Sequence, residues 1–504
     1  MELLPSLAFM SSASSFFAYG DAWSTILWIT SLTFVLFIVA PSVCWAWNRL
    51  KKNNRKTRFF YYSIAAVAII GATWSFLLPI AIDSGFHKDD DGPVLRQILL
   101  YATGGLLGVI TLGETHRKNN QEKEKNENDH TRQVHSERRT RYAKAIEQLA
   151  DEKAAIRLGG IYTLVGLVDE WLADDSLGPE EQQKEGQVII NNLCSYIRSP
   201  FTLAESRNII EASIRPGVYS GNLKEDKAKL REEQDVRRAI FDEMEKRSSE
   251  ISKDNNKNIT VTPGVWSNFD FDFNQAPIFY SLSNLTIERA NFNLANFYGD
   301  AEFYNVTFVQ DADFILATFT CDADFRKATF IQDADFRKAD FTRDADFEGA
   351  DFICDADFSE ATFSISVNFT KTTFIHDANF SKTIFVQDAL FLGTTFHQNV
   401  SFSEATFKTY MPFFAQWGEV RARFSIYADS QKHNFKTRQG SQPIPRNQPI
   451  PLGKAELEGV EHIIPVGAVL FNPNSRDDKT QDYTISEPAK PFENSDTEEE
   501  KPAE

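Results

Sequence analysis

The chain of 504 residues holds only four cysteines, Cys44, Cys194, Cys321 and Cys354. They lie too far apart for a Cys-x-x-Cys zinc site and are too few for a disulfide framework. The eight histidines never fall at metal-ligand spacing, so neither a metal nor another cofactor is expected. Positive charge is short: 53 Lys and Arg stand against 71 Asp and Glu, a formal net charge of −18. A general nucleic-acid binder needs a basic face, so nucleic acid is not an expected partner. Gly159-Gly160 matches neither GxGxxG nor GxxxxGK[ST] and is read as close helix packing or a kink, not a phosphate loop. What the chain has in excess is phenylalanine, 43 residues. That surplus points to a repeat in which one position demands Phe.

Charge is absent from residues 23–47 and again from 59–82. Each stretch is long enough to cross a hydrocarbon core of about 30 Å at 1.5 Å per residue. Both read as transmembrane helices, with Trp45, Trp47, Phe59, Tyr61 and Tyr62 near their ends, where amphipathic rings favour the interface. Residues 97–113 form a shorter third span. The connection 49–58 holds Arg49, Lys51, Lys52, Arg55, Lys56 and Arg58 without an acid, which places it in the cytoplasm. Three spans then leave residues 1–22 outside and everything after Gly113 in the cytoplasm. The expectation is a multi-pass protein of the cytoplasmic membrane, with the membrane itself as one partner.

Residues 114–141 are almost wholly polar and read as a charged helical stalk. Apolar residues return at helical spacing, among them Tyr142, Ile146, Leu149, Ile161, Leu164 and Val168, then Val188, Ile189, Leu193 and Ile197. A third charged helix is expected over about 225–251, so 142–252 reads as a small all-helical domain. Glu147, Asp169, Glu170 and His130 make this region the place where chemistry is least excluded.

From residue 292 to 407 phenylalanine recurs 22 times, at spacings that alternate five and six without a miss. The central members are Phe314, Phe319, Phe325, Phe330, Phe336, Phe341, Phe347, Phe352, Phe358 and Phe363. Two residues before each Phe stands Ala in 16 of the 22 cases, nearly always with a polar residue between them. Positions two apart on an extended segment share a face, so Ala and Phe point inward and the polar residue outward. A fixed 11-residue unit marks a solenoid, here a narrow coil of short strands joined by turns.

Units such as ADFTRDADFEGADF (339–352) resemble pentapeptide-repeat proteins, whose motif is A(D/N)(L/F)xx, in the Phe-rich subtype with the same alternation. The resemblance implies a right-handed quadrilateral β-helix, here with 22 residues per coil instead of 20. RYAKAIEQLADEKAAIRLGGIYTL (141–164) is similar to the segment between membrane spans and repeats in actinobacterial membrane-anchored members.

The extra residue in alternate faces is Asp at 300, 311, 322, 333, 344, 355, 377 and 388. As a structural element, Asp would bond a local backbone N–H and cap the bulge. As a functional element, Asp311, Asp322, Asp333, Asp344, Asp355 and Asp377 would form an acidic surface, which the resemblance to gyrase-binding members implies could imitate DNA. Residues 292–407 hold 19 acids and seven bases. Eleven units make 5.5 coils, about 26 Å of rod at 4.8 Å per coil, against which DNA carries about 15 charges. The totals are comparable, but the acids are spread over four faces. Arg326 and Lys338, each 22 residues before Glu348 and Glu360, should partly neutralise them.

Trp266, Phe269, Phe271 and Phe273 alternate like a strand that opens the coil, and Tyr410, Phe413, Phe414 and Trp417 could close it, which sets the β-helix with its caps at 262–425. Residues 426–504 read as a linker, one short strand at 462–470 and an acidic disordered tail. A filled coil has no cleft, so no enzyme and no small-molecule ligand is expected. The function expected is an interaction scaffold for unidentified protein partners at the membrane, with DNA mimicry or topoisomerase binding as the alternative.

Overall fold

The computed structural model describes residues 56–81, 92–212, 219–253, 259–416, 420–428, 433–438, 447–477 and 482–492. The expected N-terminal segment 1–22, the first span 23–47, most of the basic connection and Trp417 lie outside the described residues. The chain divides into two units, 1–134 and 135–504.

In the first unit, α1 (Lys56–Ala81) meets the long helix α2 (Gly92–Leu149). A Cβ on Gly71 would fall 2.0 Å from Thr103 Cγ2, so the helices touch where only glycine fits. Among the described residues, α2 is the one helix long and apolar enough to cross a membrane, with a window of mean hydropathy 1.5. The expected second span, 59–82, falls on α1, whose apolar stretch is the shorter Ile64–Phe76. The third span and the stalk are not separate elements. No Gly or Pro interrupts 114–149, and the Glu, Lys, Gln and Arg that fill much of it are good helix formers, so one helix runs through both.

The second unit begins with the end of α2, followed by α3 (Ala154–Leu172), α4 (Pro179–Arg198), α5 (Arg207–Ala212) and α6 (Leu223–Glu245). Ile161, Leu164, Leu167, Val168, Ile190, Leu193, Ile197, Val236 and Ile240 are fully buried or nearly so. A Cβ on Gly160 would stand 2.9 Å from the Ala145 carbonyl oxygen, so this glycine permits close packing of α3 on α2. The third expected helix ends at Glu245 instead of 251. Ser248 Oγ donates back to the Met244 carbonyl at 3.0 Å, a local bond that competes with helix continuation. The chain then enters an antiparallel ribbon of β1 (Glu250–Lys253) and β2 (Ile259–Thr262).

Twenty-five two-residue strands follow, from β3 (Phe271–Asp272) to β27 (Thr406–Phe407), in four parallel sheets that make about six turns. Register advances by 22 residues: Ala312 pairs with Ala334 and Phe319 with Phe341. One coil reads Ala312–Asp313, Thr318–Phe319, Ala323–Asp324, Thr329–Phe330, so Ala-Asp and Thr-Phe faces alternate. The inward Phe side chains form four stacks, one per face. Phe336 lies 4.8 Å from both Phe314 and Phe358, nearly parallel to each, and perpendicular to Phe325 and Phe347. The Ala beside most of these Phe residues leaves room for the neighbouring stack.

Every eleventh residue adopts positive φ: Leu294, Asn305, Leu316, Lys327, Lys338, Gly349, Glu360, Lys371, Lys382, Gly393 and Glu404. Each sits in the turn after a strand at the Ala-Asp position of the unit, as where the Ala317 N–H donates to the Phe314 carbonyl at 3.0 Å. The left-handed position is imposed by the coil, because most of its occupants are not glycine.

The helical domain is the solenoid's first cap. Phe241 packs on Phe273 at 4.9 Å, Phe201 stacks on Phe279 at 5.0 Å, and Phe269 fills the space beside Gly186. Its polar side chains also satisfy carbonyls of the opening turns: Gln187 donates to Asp270, Gln234 to Phe279, Arg238 to Ser281 and Ser283, and Arg207 to Tyr298 and Asp300.

At the other end Phe414 does not fold over the coil. It continues the stack on Phe391 at 5.0 Å, Phe424 stacks on Phe396 and Phe435 on Phe402. Tyr410 and Phe413 are exposed. Residues 426–504, expected as linker, strand and tail, hold a cap in their described parts. β28 (Arg423–Ser425) pairs with Thr395–Phe396 and then with β31 (Val469–Phe471). β29 (Leu452–Leu457), β30 (Val460–Pro465) and β32 (Lys490–Pro491) form an antiparallel sheet with buried Gly453, Ala455, His462 and Ile464 on one side. Apolar residues here are spaced irregularly, which hid the cap from periodicity.

Candidate functional surface

With the interior filled by Phe and Ala, any function of the solenoid is carried by residues that face out. Two kinds of Asp alternate there and do different work. The Asp between Ala and Phe makes the local turn: Asp324, Asp335, Asp346 and Asp357 each accept from the backbone N–H two residues on, at 2.8–3.0 Å. Asn368 and Asn379 do the same. These are Asx turns.

The extra Asp instead reaches along the rod. Asp333 accepts from the Asp355 N–H, Asp355 from Asp377, Asp377 from Asn399 and Asp344 from Ser366, at 3.0–3.1 Å and always 22 residues apart. The local cap expected of this column is thus made by its neighbour in sequence, while the column itself ties successive coils. Asp311, Asp333, Asp355 and Asp377 share one column, and Asp322 and Asp344 belong to the other.

Basic side chains quench part of this charge. Arg326 pairs with Asp324 at 2.7 Å and reaches Asp346 at 3.9 Å, Arg337 pairs with Asp335 at 2.6 Å, and Lys338 pairs with Glu360 at 3.7 Å. Glu348 takes Lys371 instead of Arg326. Arg326 and Lys327 also lie over the Tyr304 ring. Burial, with repulsion from Asp335 and Asp311, raises the Asp313 carboxyl above the usual range. Burial raises Asp346 and Asp340 too, and burial with Asp333, Asp355 and Asp311 nearby raises the Cys354 thiol.

The four polar residues of the helical region are not brought together. His130 and Glu147 are exposed on α2. Asp169 is held by Arg247 and by the Trp266 indole N–H, and Glu170 by Arg141 and Arg138. Sequence reasoning missed two structural clusters here. Asp174 accepts from Arg138, His135 and Ser176, and although burial opposes it, these bonds hold its carboxyl well below the usual range. Arg237, 1% exposed, bonds Glu233 and the Ile197 and Ser199 carbonyls and lies over the Tyr196 and Phe279 rings. Their only signal was charge inside an apolar helical pattern. Among the described residues no group of three His, Cys, Asp or Glu is placed to hold a metal.

The model of the pentapeptide repeats matches nine copies, over residues 283–329, 317–362 and 358–406. No curated protein and no solved structure matches the chain. Sequence period, 22-residue register and family match coincide, and residues 283–406 therefore belong to the pentapeptide-repeat family and fold as its solenoid.

Proposed function

We propose that this chain is a membrane-anchored, non-enzymatic scaffold that presents its solenoid to protein partners in the cytoplasm. The observation that carries the reading is the outward lattice. Inter-coil pairing fixes polar side chains at 22-residue register on a fully buried core, so binding should order little and cost little entropy. The apolar helix α2 supports anchorage. The basic connection 49–58 supports an outside N-terminus, with further spans at 23–47 and 59–82. Anchorage would raise the local concentration of partners at the bilayer.

Acid mimicry of DNA is the second reading, favoured by one observation: Asp311, Asp313, Asp355, Asp357 and Asp377 share one face, formed by successive Ala-Asp strands. Crosslinking of the full chain in its membrane separates the two. Capture of membrane or envelope proteins that survives Asp→Asn changes in both columns supports the scaffold. Capture of a topoisomerase that is lost with those changes supports mimicry, and capture of no protein at all defeats the scaffold. A cysteine label placed at the C-terminus and reactive only from outside the cell would overturn the topology.

A further inference from the structure

The C-terminal sheet runs β30–β29–β32, which leaves β30 as an edge. Its hairpin turns through Glu458 (φ 55°) and Gly459 (φ 81°), the positive pair that a two-residue loop requires. Leu457 and Val460 are therefore the first hydrogen-bonded pair, and bonded pairs alternate from there. Val460, His462 and Ile464 turn their N–H and C=O groups to β29. Glu461 and Ile463 turn theirs away, and among the described residues no segment takes them. The edge is open, with Ile463 47% and Val460 37% exposed. An unpaired edge of this kind is a template for another strand. The opposite edge is blunted, because β32 is two residues long and ends in Pro491.

We propose that β30 pairs antiparallel with β30 of a second copy of this chain, about a two-fold axis at His462, joining the two caps into one six-stranded sheet. The residues themselves select the occupant and the register. Centred on His462, Glu461 of each copy faces Ile463 of the other, four backbone hydrogen bonds form, and no carboxylate opposes another. Glu461 keeps its own Lys454, 3.0 Å away. Centred on Glu461, two like charges would stand opposite each other. Centred on Ile463, Glu461 would face Pro465, which has no N–H to give. A strand whose single good self-register spends every free edge group is complementary to itself, as a two-fold interface must be. The proposal does not depend on the scaffold reading.

The test uses the full chain in detergent micelles, with mass by light scattering over a dilution series and amide exchange read at single residues. A concentration-dependent dimer is expected, in which the Glu461 and Ile463 amides slow at least tenfold as the dimer forms. Ile463→Pro deletes an N–H that β29 does not use, so it should abolish both effects while the His462 and Ile464 amides stay protected. Glu461→Pro tests the same point at the other bond should the first variant lose the hairpin. A chain that stays monomeric across the series overturns the proposal. So does a dimer with unchanged exchange at 461 and 463, a dimer that survives both Pro variants with the hairpin intact, or protection that appears only when a different protein is bound.

Discussion

Removing one ring from the middle of the solenoid tests the fold at its most constrained point. Phe336 is fully buried and its ring lies within 6.3 Å of six others: Phe314, Phe325, Phe330, Phe341, Phe347 and Phe358. Phe336→Ala forfeits the transfer of the ring and leaves a cavity, about 3–5 kcal/mol in a packed core. Stacked and edge-on ring pairs add roughly 0.5–1.5 kcal/mol each beyond burial, so the upper part of that range is expected. Because each coil touches only its neighbours, the loss should stay local. Amide exchange on the full chain reads this directly. The Phe314, Phe336 and Phe358 amides, which donate to Asp335, Asp357 and Asn379, should exchange at least about 100-fold faster, while those of Phe292 and Phe391 hold. Phe336→Leu should lose far less, since it keeps most of the volume. A cost below about 1 kcal/mol, or loosening that appears first at the ends of the rod, would refute the stacked-core account.

Lys382→Gly should raise solenoid stability by about 0.5–1 kcal/mol, because φ is +59° there and glycine removes the left-handed strain; thermal melting of the full chain checks it. Asp335→Ala should cost about 1–2 kcal/mol through loss of the Asx bond and the Arg337 pair. Asp335→Asn should be near neutral, as Asn368 and Asn379 already serve in that role, and urea titration ranks the two. Arg237→Ala should cost about 2–4 kcal/mol and loosen α6 against α4, because it leaves the Ile197 and Ser199 carbonyls unpaired while Glu233 keeps Arg157 at 3.0 Å; protease nicking in the helical domain reports it. Acid should act oppositely on two sets of carboxyls, one mostly in the helical domain, where among the described residues burial raises Glu245 alone, and one in the coils. Asp174, Glu170 and Glu243 have lowered carboxyls, so the stability they contribute is present above the ordinary carboxylate range and is lost as pH falls below it. Asp313, Asp340 and Asp346 have raised carboxyls, so they oppose folding at neutral pH and are relieved as pH falls. Exchange followed from pH 5 to pH 3 should therefore open the helical domain before the coils that hold those three residues.

The coil was legible because its cause is local and repeated. Each inward Phe must meet the next one 22 residues on, so the spacing is written into the sequence by 22 Phe residues in register. The closing turn has the same physics and no such record: Phe414, Phe424 and Phe435 reach their stacks from irregular positions, and β31 arrives from farther along still. The Asp columns were visible but their bonds were not. An Asp that bonds two residues ahead and one that bonds 22 ahead are the same letter in the sequence, and only the backbone trace tells which N–H is within reach.

The helical domain shows why a charged helix can be read correctly and still be misplaced. Its apolar spacing marked a bundle, and nothing in that pattern said that one end would be a β-coil. Yet the opening turns of a parallel solenoid need two things, an apolar surface for the first Phe rings and donors for carbonyls that have no preceding coil. Phe201 and Phe241 meet the first need, and Gln187, Arg207, Gln234 and Arg238 meet the second. These arginines and glutamines look like solvent-facing helix residues in the sequence, and they are long enough to reach across to the coil. The cap is therefore a property of side-chain length as much as of hydrophobicity. It makes the helical domain and solenoid one folding partnership, so a partner protein that bound α6 in place of the opening turns would have to expose Phe273 and Phe279 to do it.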